Sequence, residues 1–400
     1  MITGQCWTEP RVTSLIIERS DIDIHDAPAG WELADSSRSA LPGPSDDARL
    51  RRVLILTAMD PWSASTRYRA LQHIPRLRQR FGAVEVSLPH DTIRRSPGRI
   101  GQLRYFGTHG VRYIRRGLSI RQSISKYDSL LVQRGIYVIG PDAIAQPVDR
   151  FPGRVVFDLD DAVFRLSPSL AAKSRPARWL YGPQQALRLL RRADALIVST
   201  ERLAEMLPPG TPEPTILPTV PNPEDYLLAP VDPSKHPVIG WAGTVGGLVY
   251  LDPLRAVFAS LARDGIATLE VVSSHPWDGP GRFHQWRASE STRVFARFSI
   301  GVMPLPDTDY TRAKAGFKLL QYMAAGLPVV ASPVGGNREL VERSGAGFVA
   351  ETPEDWESTL RLLAADPALR LELGRRGRSF VEGYADLDNQ AQILTELLLP

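Results

Sequence analysis

The sequence predicts an α/β protein built of two Rossmann-like domains whose parallel sheets face each other across a cleft. Three observations predict this. Short apolar runs recur along the chain, each followed by a helical pattern. The runs are continuous rather than alternating, as expected of strands buried on both faces. A proline-rich stretch divides them into two similar sets, and 400 residues with 43% hydrophobic content can bury two cores.

Residues 1–49 hold Asp21, Asp23, Asp26, Asp35, Asp46 and Asp47 and are broken by "DAPAG" and "LPGPSDD", which reads as a poorly ordered acidic extension. The first domain, 50–220, carries the runs "RVLILTAM", "AVEVSL", "SLLVQ", "RVVFDLDD", "ALIVST" and "TILP". Residues 221–236 read as the linker, because the five prolines from Pro221 to Pro237 cannot sit in a central strand. The second domain, 237–375, repeats the alternation with "VIGWAG", "TLEVVSS", "FSIGVMPL", "LPVVAS" and "GFVA". A last helical pattern covers 376–400, with apolar residues spaced by three and four.

Composition narrows the function. Cys6 is the only cysteine, so neither a disulfide framework nor a cysteine metal cluster can form, and the seven histidines lack metal-ligand spacing. A net charge of +4 over this length gives no ground for nucleic-acid binding. The first thirty residues have no apolar run longer than "SLII", and no eighteen-residue uncharged apolar run occurs anywhere. The reading is a cytoplasmic protein, soluble or peripheral at the inner face of the membrane. From Arg94 to Lys126 basic residues occur without one Asp or Glu, interleaved with Leu, Tyr, Phe and Ile. That block is either a solvated arginine-rich face or a surface for anionic lipid.

In open parallel sheets ligands sit beyond the carboxyl ends of the strands, so chemistry is sought there. In "AGFKLLQYMAAGLPVVAS" a helix starting at Phe317 would place Phe317, Leu320 and Ala324 on its core face and Lys318, Gln321 and Ala325 beside it. Lys314 and Gly316 lie just ahead, where free amides and the positive dipole end favour an anion. Two lysines at a helix terminus suit a diphosphate, with Gln321 in reach of a ribose; a solvated lysine pair beside a core helix is the plainer alternative. The first strand of the second domain runs into "GWAGTVGGL", where Gly243 permits a tight turn and Thr244 offers a hydroxyl, although the spacing is not G-x-G-x-x-G. In the first domain "FDLDDAVF" sets Asp158, Asp160 and Asp161 at a strand end, as helix caps, as contacts to a hydroxyl substrate or, least favoured, as metal ligands. The loop "DPWSASTRYR" offers Ser63, Ser65, Thr66 and Arg67; Arg67 could reach an anion across the cleft, and Arg69 reads as a surface arginine.

From about Arg52 to Ala385 the sequence resembles the group 1 glycosyltransferases, family 4 of the sequence classification. The resemblance rests on the "SRYR"-like loop, the "FD-x-DDA" strand end and "GFK-x-x-QYMA-x-G-x-PVV", and is strongest in "IGVMPLPDTDYTRAKAGFKLLQYMAAGLPVVASPVGGNRELV". It implies the GT-B fold, with a terminal helix crossing back to the first lobe. It also implies a nucleoside-diphosphate sugar held by the second lobe, UDP-sugar first and GDP-sugar second, with no cofactor, no metal and retention of configuration. Lys318 then matches a phosphate-binding lysine, Gln321 the glutamate that contacts ribose, and Gly243 and Thr244 the phosphate loop. Lys314, Gly316 and Phe317 complete the donor side; Asp160 and Asp161 fall where many relatives place an acceptor-side histidine. The sequence departs where relatives carry two glutamates eight positions apart: here Ala313 and Gln321 stand. The implied acceptor is a lipid-linked or envelope glycan, or a small natural product. A nucleotide-sugar 2-epimerase and a non-catalytic sugar-nucleotide-binding subunit remain as alternatives.

Overall fold

The computed structural model describes residues 51–89, 111, 114–136, 146–165, 183–230 and 236–399. The expected acidic extension and most of the basic block lie outside these residues. Among the described residues twelve strands form two sheets, every pairing parallel. The first contains β1 (Arg52–Thr57), β2 (Ala83–Ser87), β3 (Ser129–Gln133), β4 (Arg154–Leu159), β5 (Ala195–Val198) and β6 (Pro214–Ile216), in the order β2-β1-β3-β4-β5-β6. The second contains β7 (Val238–Ala242), β8 (Thr268–Ser273), β9 (Arg282–Gln285), β10 (Ile300–Met303), β11 (Val329–Ala331) and β12 (Gly347–Val349), in the order β12-β11-β10-β7-β8-β9. Each order has a point where the winding reverses, the position beyond the strand ends where open parallel sheets hold ligands.

The apolar runs became strands because both faces are covered: every residue of β3 and β5 is buried, as is every residue of β10. The one strand not anticipated, β9, has the sequence RFHQ and lies on the sheet edge, so it lacks the apolar run that marks a buried strand. The helical run Val245–Arg263 is apolar and long enough to cross a membrane by composition alone. It begins as a 3₁₀ turn and sends Leu248, Leu251, Leu254, Phe258 and Leu261 into the core of the second lobe.

The chain passes from the first lobe to the second through a segment that is itself packed. Val220 and Tyr226 join the core of the second lobe, and the Ala229 amide donates to the Ala325 carbonyl at 2.8 Å. Helix Pro367–Tyr384 lies on the second lobe against helix Phe317–Ala324, where Gly377 meets Met323. After Ala385 the direction changes, and helix Leu387–Leu398 covers the first sheet. Leu394 and Leu398 enter that core, and Ser129 and Arg154 donate to the carbonyls of Leu398 and Leu397, each at 2.5 Å.

Two arginines differ from the sequence reading. Arg69 is 4% exposed, not a surface residue: its guanidinium is clamped on Asp158 and also donates to the Leu217 carbonyl and Thr219. Arg116, in the basic block, is likewise buried and donates to the carbonyls of Thr57, Ser87 and Ile136, tying together three strand ends. Both satisfy carbonyls left unpaired where parallel strands stop.

Candidate donor and acceptor site between the lobes

On the second lobe, Gly316 adopts the left-handed conformation, with φ of 73°, and opens helix Phe317–Ala324. A Cβ there would lie 2.6 Å from Leu340 Cδ1, so glycine is required by both conformation and space. The helix was expected to have one core face and one open face. Instead Leu319 to Ala325 are all buried, because the helix is enclosed by its sheet and by helix Pro367–Tyr384. Only the first turn, Phe317 and Lys318, remains partly open. The first amides of a helix have no intrahelical partner.

Lys318 Nζ lies 5.1 Å from the centre of the Trp241 ring. Gly243 lies against both: a Cβ there would be 2.6 Å from Trp241 Cη2 and 3.0 Å from Lys318 Cε. The sequence placed Lys318 and Gly243 in one site 75 positions apart, and the fold brings them into contact. Thr244 follows, exposed, and starts the 3₁₀ turn, with its carbonyl accepting from the Gly247 amide at 2.9 Å. Burial, and secondarily Lys314, push the Lys318 ammonium down to about 8. Lys314 Nζ sits 4.7 Å from the Tyr310 ring centre. Among the described residues neither lysine has a carboxylate partner, so two cations converge without compensation.

Gln321 is 9% exposed, and its amide donates to Tyr226 Oη at 2.9 Å. Tyr226 in turn is 2.8 Å from Tyr68 Oη of the first lobe. This chain of hydroxyls links the helix to the crossing segment and to helix Ala64–Arg69. Phe317 belongs to the same contact, its ring 4.7 Å from Tyr68, and so faces the other lobe as well as its own core.

On the first lobe the three aspartates separate. Asp158 is fully enclosed with Arg69; burial opposes the arginine's charge, but Asp158 outweighs it and holds Arg69 above its ordinary value. Asp160 accepts from Ser65 Oγ, and Asp161 accepts from Arg134 Nη2 at 3.0 Å. Arg134 Nη1 lies 3.7 Å from Asp160 and donates to Ser65 at 3.0 Å. Tyr310 of the second lobe donates to Asp161 at 2.9 Å, and burial, then Asp161, raise its hydroxyl above the ordinary range. Asp161 is thus joined to the second lobe through Tyr310, the ring that Lys314 lies over. With Asp158 turned to Arg69 the triplet does not converge, and among the described residues no group of three His, Cys, Asp or Glu could hold a metal ion. Arg67 donates across the cleft to Ser291 Oγ at 2.7 Å, while its Nε is buried without a partner.

Three residues of this site were not singled out from sequence. Arg134 has φ of 64°, rare for a residue with a side chain, directly after β3; the signal was the Arg-Gly pair ending that apolar run. Trp241 sits in a strand and reads as core, and Tyr310 sits in the "DTDYTR" loop without periodicity.

The family described as "Glycosyl transferases, group 1" matches residues 267–366, which contain Lys314, Gly316, Lys318 and Gln321. No curated protein matches the sequence. Among solved structures, HepE of Anabaena in complex with UDP-glucose superposes with a TM-score of 0.61 at 16% identity, over 87% of this chain and 99% of that one. The fold is GT-B. The GT-B comparison extends to sucrose-phosphate synthase of Thermosynechococcus elongatus, with a TM-score of 0.59, 14% identity, and coverage of 87% and 99%. TarM of S. aureus, in a complex that includes UDP, gives 0.54 at 11% identity, covering 72% of this chain and 59% of that one. Within this GT-B frame the group 1 match falls on the lobe that carries the lysines, and the aspartates lie on the lobe outside the match.

Proposed function

We propose that this protein is a retaining glycosyltransferase. It moves a hexosyl or aminohexosyl group from a nucleoside-diphosphate sugar, a UDP-sugar before a GDP-sugar, to an acceptor hydroxyl. One observation carries the reading. Lys318 is hemmed in between Trp241 and Gly243 at the mouth of a helix, its pKa is depressed, and no carboxylate faces it among the described residues. A half-buried cation without a carboxylate partner is costly unless an anion completes it. The complexes of HepE with UDP-glucose and of TarM with UDP support a nucleotide as that anion.

In the reaction, the bond from the anomeric carbon to the diphosphate breaks as the acceptor oxygen bonds to the same face. Lys318, Lys314 and the first amides of helix Phe317–Ala324 stabilise the charge growing on the leaving phosphate, the electrostatic contribution that is usually largest. The proton of the acceptor hydroxyl passes to a phosphate oxygen. Asp160 and Asp161, fixed by Ser65, Arg134 and Tyr310, orient that hydroxyl. Contact between the lobes at Tyr310 and Arg67 excludes water and limits hydrolysis of the donor. The favoured acceptor is a lipid-linked or envelope glycan, with a small natural product second.

Thermal shifts with UDP, GDP, dTDP and ADP test the donor site. Ligand at about a hundred times its dissociation constant adds roughly 2.7 kcal/mol of stability, and one base should stand out. Lys318→Ala should remove the shift; no shift with any nucleotide would refute the site. Mass spectrometry of products from a donor panel, with and without lipid acceptors, separates transfer from epimerisation of the donor alone.

A further inference from the structure

The helical stretch 114–123 of the first lobe turns one face inward and one outward. Ile120, Ser123 and Ile124 are buried, with Arg116 pinned beneath. The outward face is not polar: Ile114 is 54% and Leu118 53% exposed. At 100° per residue Ile114 and Leu118 fall within one narrow stripe, flanked by Arg115 on one side and Arg121 on the other, both exposed. From Arg94 to Lys126 the sequence carries no acid. The acids that flank the patch are engaged elsewhere: Asp128 accepts from the Arg52 amide at 2.8 Å and Asp149 pairs with Arg188 at 2.8 Å.

We propose that this face seats the first lobe on an anionic membrane surface. Aliphatic side chains at the centre, with guanidinium groups on both margins, match the boundary between acyl chains and anionic headgroups, where an apolar helix face sinks about 5–10 Å. A protein partner with a neutral apolar groove would satisfy the stripe but leave Arg115 and Arg121 facing nothing. Beside the stripe lies a groove of about 410 Å³ whose lining includes Ile114, Leu118, Phe151 and Pro152 together with Arg121 and Arg150. Its mix of apolar and basic side chains repeats the same chemistry.

Arg116 fixes where this helix lies in the lobe. Arg116 binds the carbonyls of Thr57, Ser87 and Ile136, so the leading end of the helix lies at the carboxyl ends of the strands, on the acceptor side of the cleft. Its far end, with Arg121, reaches Phe151 and Pro152, which precede β4, so the stripe runs along the length of the first sheet. The inference goes beyond the transfer reading and does not depend on it.

The test is sedimentation of the full chain with phosphatidylcholine vesicles, with and without phosphatidylglycerol. The wild type should sediment with the anionic vesicles, stay in solution with neutral ones, and be released by high salt. Arg115→Gln with Arg121→Gln should lower the partition coefficient about thirtyfold, from about fivefold per basic residue near an anionic surface. Ile114→Ser with Leu118→Ser should abolish binding. All four positions are exposed, and unchanged thermal melts verify that the variants fold. Equal binding to neutral vesicles, undiminished binding by both variants, or a wild type that self-associates through Leu118 instead of sedimenting would each overturn the proposal. No sugar nucleotide is present, so failure here leaves the donor-site reading standing, and failure of the nucleotide panel leaves this one standing.

Discussion

Raising the pH should weaken nucleotide diphosphate binding through Lys318 alone. Burial holds this ammonium at about 8, well below the ordinary lysine value. A diphosphate binds the charged form and pulls its pKa back up, so above about pH 8 binding must take up a proton. At pH 7 about nine-tenths of Lys318 is charged, and at pH 9 about one-tenth, which corresponds to a tenfold loss of affinity, or ~1.4 kcal/mol. The terminal phosphate of the nucleotide ionises near 6, so it does not change over this interval. Isothermal titration calorimetry with UDP, in buffers of differing ionisation enthalpy, reads both the affinity and the proton uptake. Lys318→Arg should remove the pH dependence, since a guanidinium stays charged throughout. Equal affinity of the wild type at pH 7 and pH 9 would refute the placement of the phosphate against Lys318.

Other consequences follow from single contacts. Asp158→Ala should destabilise the first lobe by about 3–5 kcal/mol, because it strands the buried Arg69 charge; chemical denaturation measures this. Gly316→Ala forces a side chain into a left-handed position against Leu340 and should cost at least about 1 kcal/mol, with weakened nucleotide affinity as the helix mouth shifts. Tyr226→Phe leaves the Gln321 amide without its acceptor and should lower stability by about 1–3 kcal/mol while leaving the vesicle binding of the outer helix unchanged. Asp225 is pushed up to about 6 by burial, ahead of the opposing Asn222 hydrogen bond. A raised carboxyl stabilises the fold below its unfolded value and loses that contribution as pH climbs through about 6. Asp225→Asn should therefore add about 1 kcal/mol near neutral pH and nothing below about pH 4, read by thermal melts.

Much of the architecture was legible in local pattern. Runs such as "SLLVQ" and "ALIVST" are apolar throughout because both faces of a parallel strand are covered, and each became a buried strand. The edge strand β9 escaped because an exposed strand needs no such run. The family resemblance put Gly243 and Lys318 on one side of the site, and their contact is the fold's own addition. The partners of the aspartates were not legible: "FDLDDAVF" reads as three equivalent carboxylates, and only packing turns Asp158 toward Arg69 and Asp161 toward Tyr310. Arg69 and Arg116 misled for a related reason. Arginine is ordinarily a surface residue, and its burial depends on carbonyls that the strand ends supply from distant sequence.

Sequence by itself determined the alternation of strand and helix and the division near the prolines, since these follow from backbone preference and hydrophobic period within a few residues. The tertiary structure decided which charges are neutralised and which are left open. Arg69, fully buried, meets Asp158, whereas Lys318, half-buried, meets an aromatic ring and, among the described residues, no carboxylate. That difference is set by which groups the fold brings within a few ångströms, and electrostatic energy depends on that distance and on the water excluded from it.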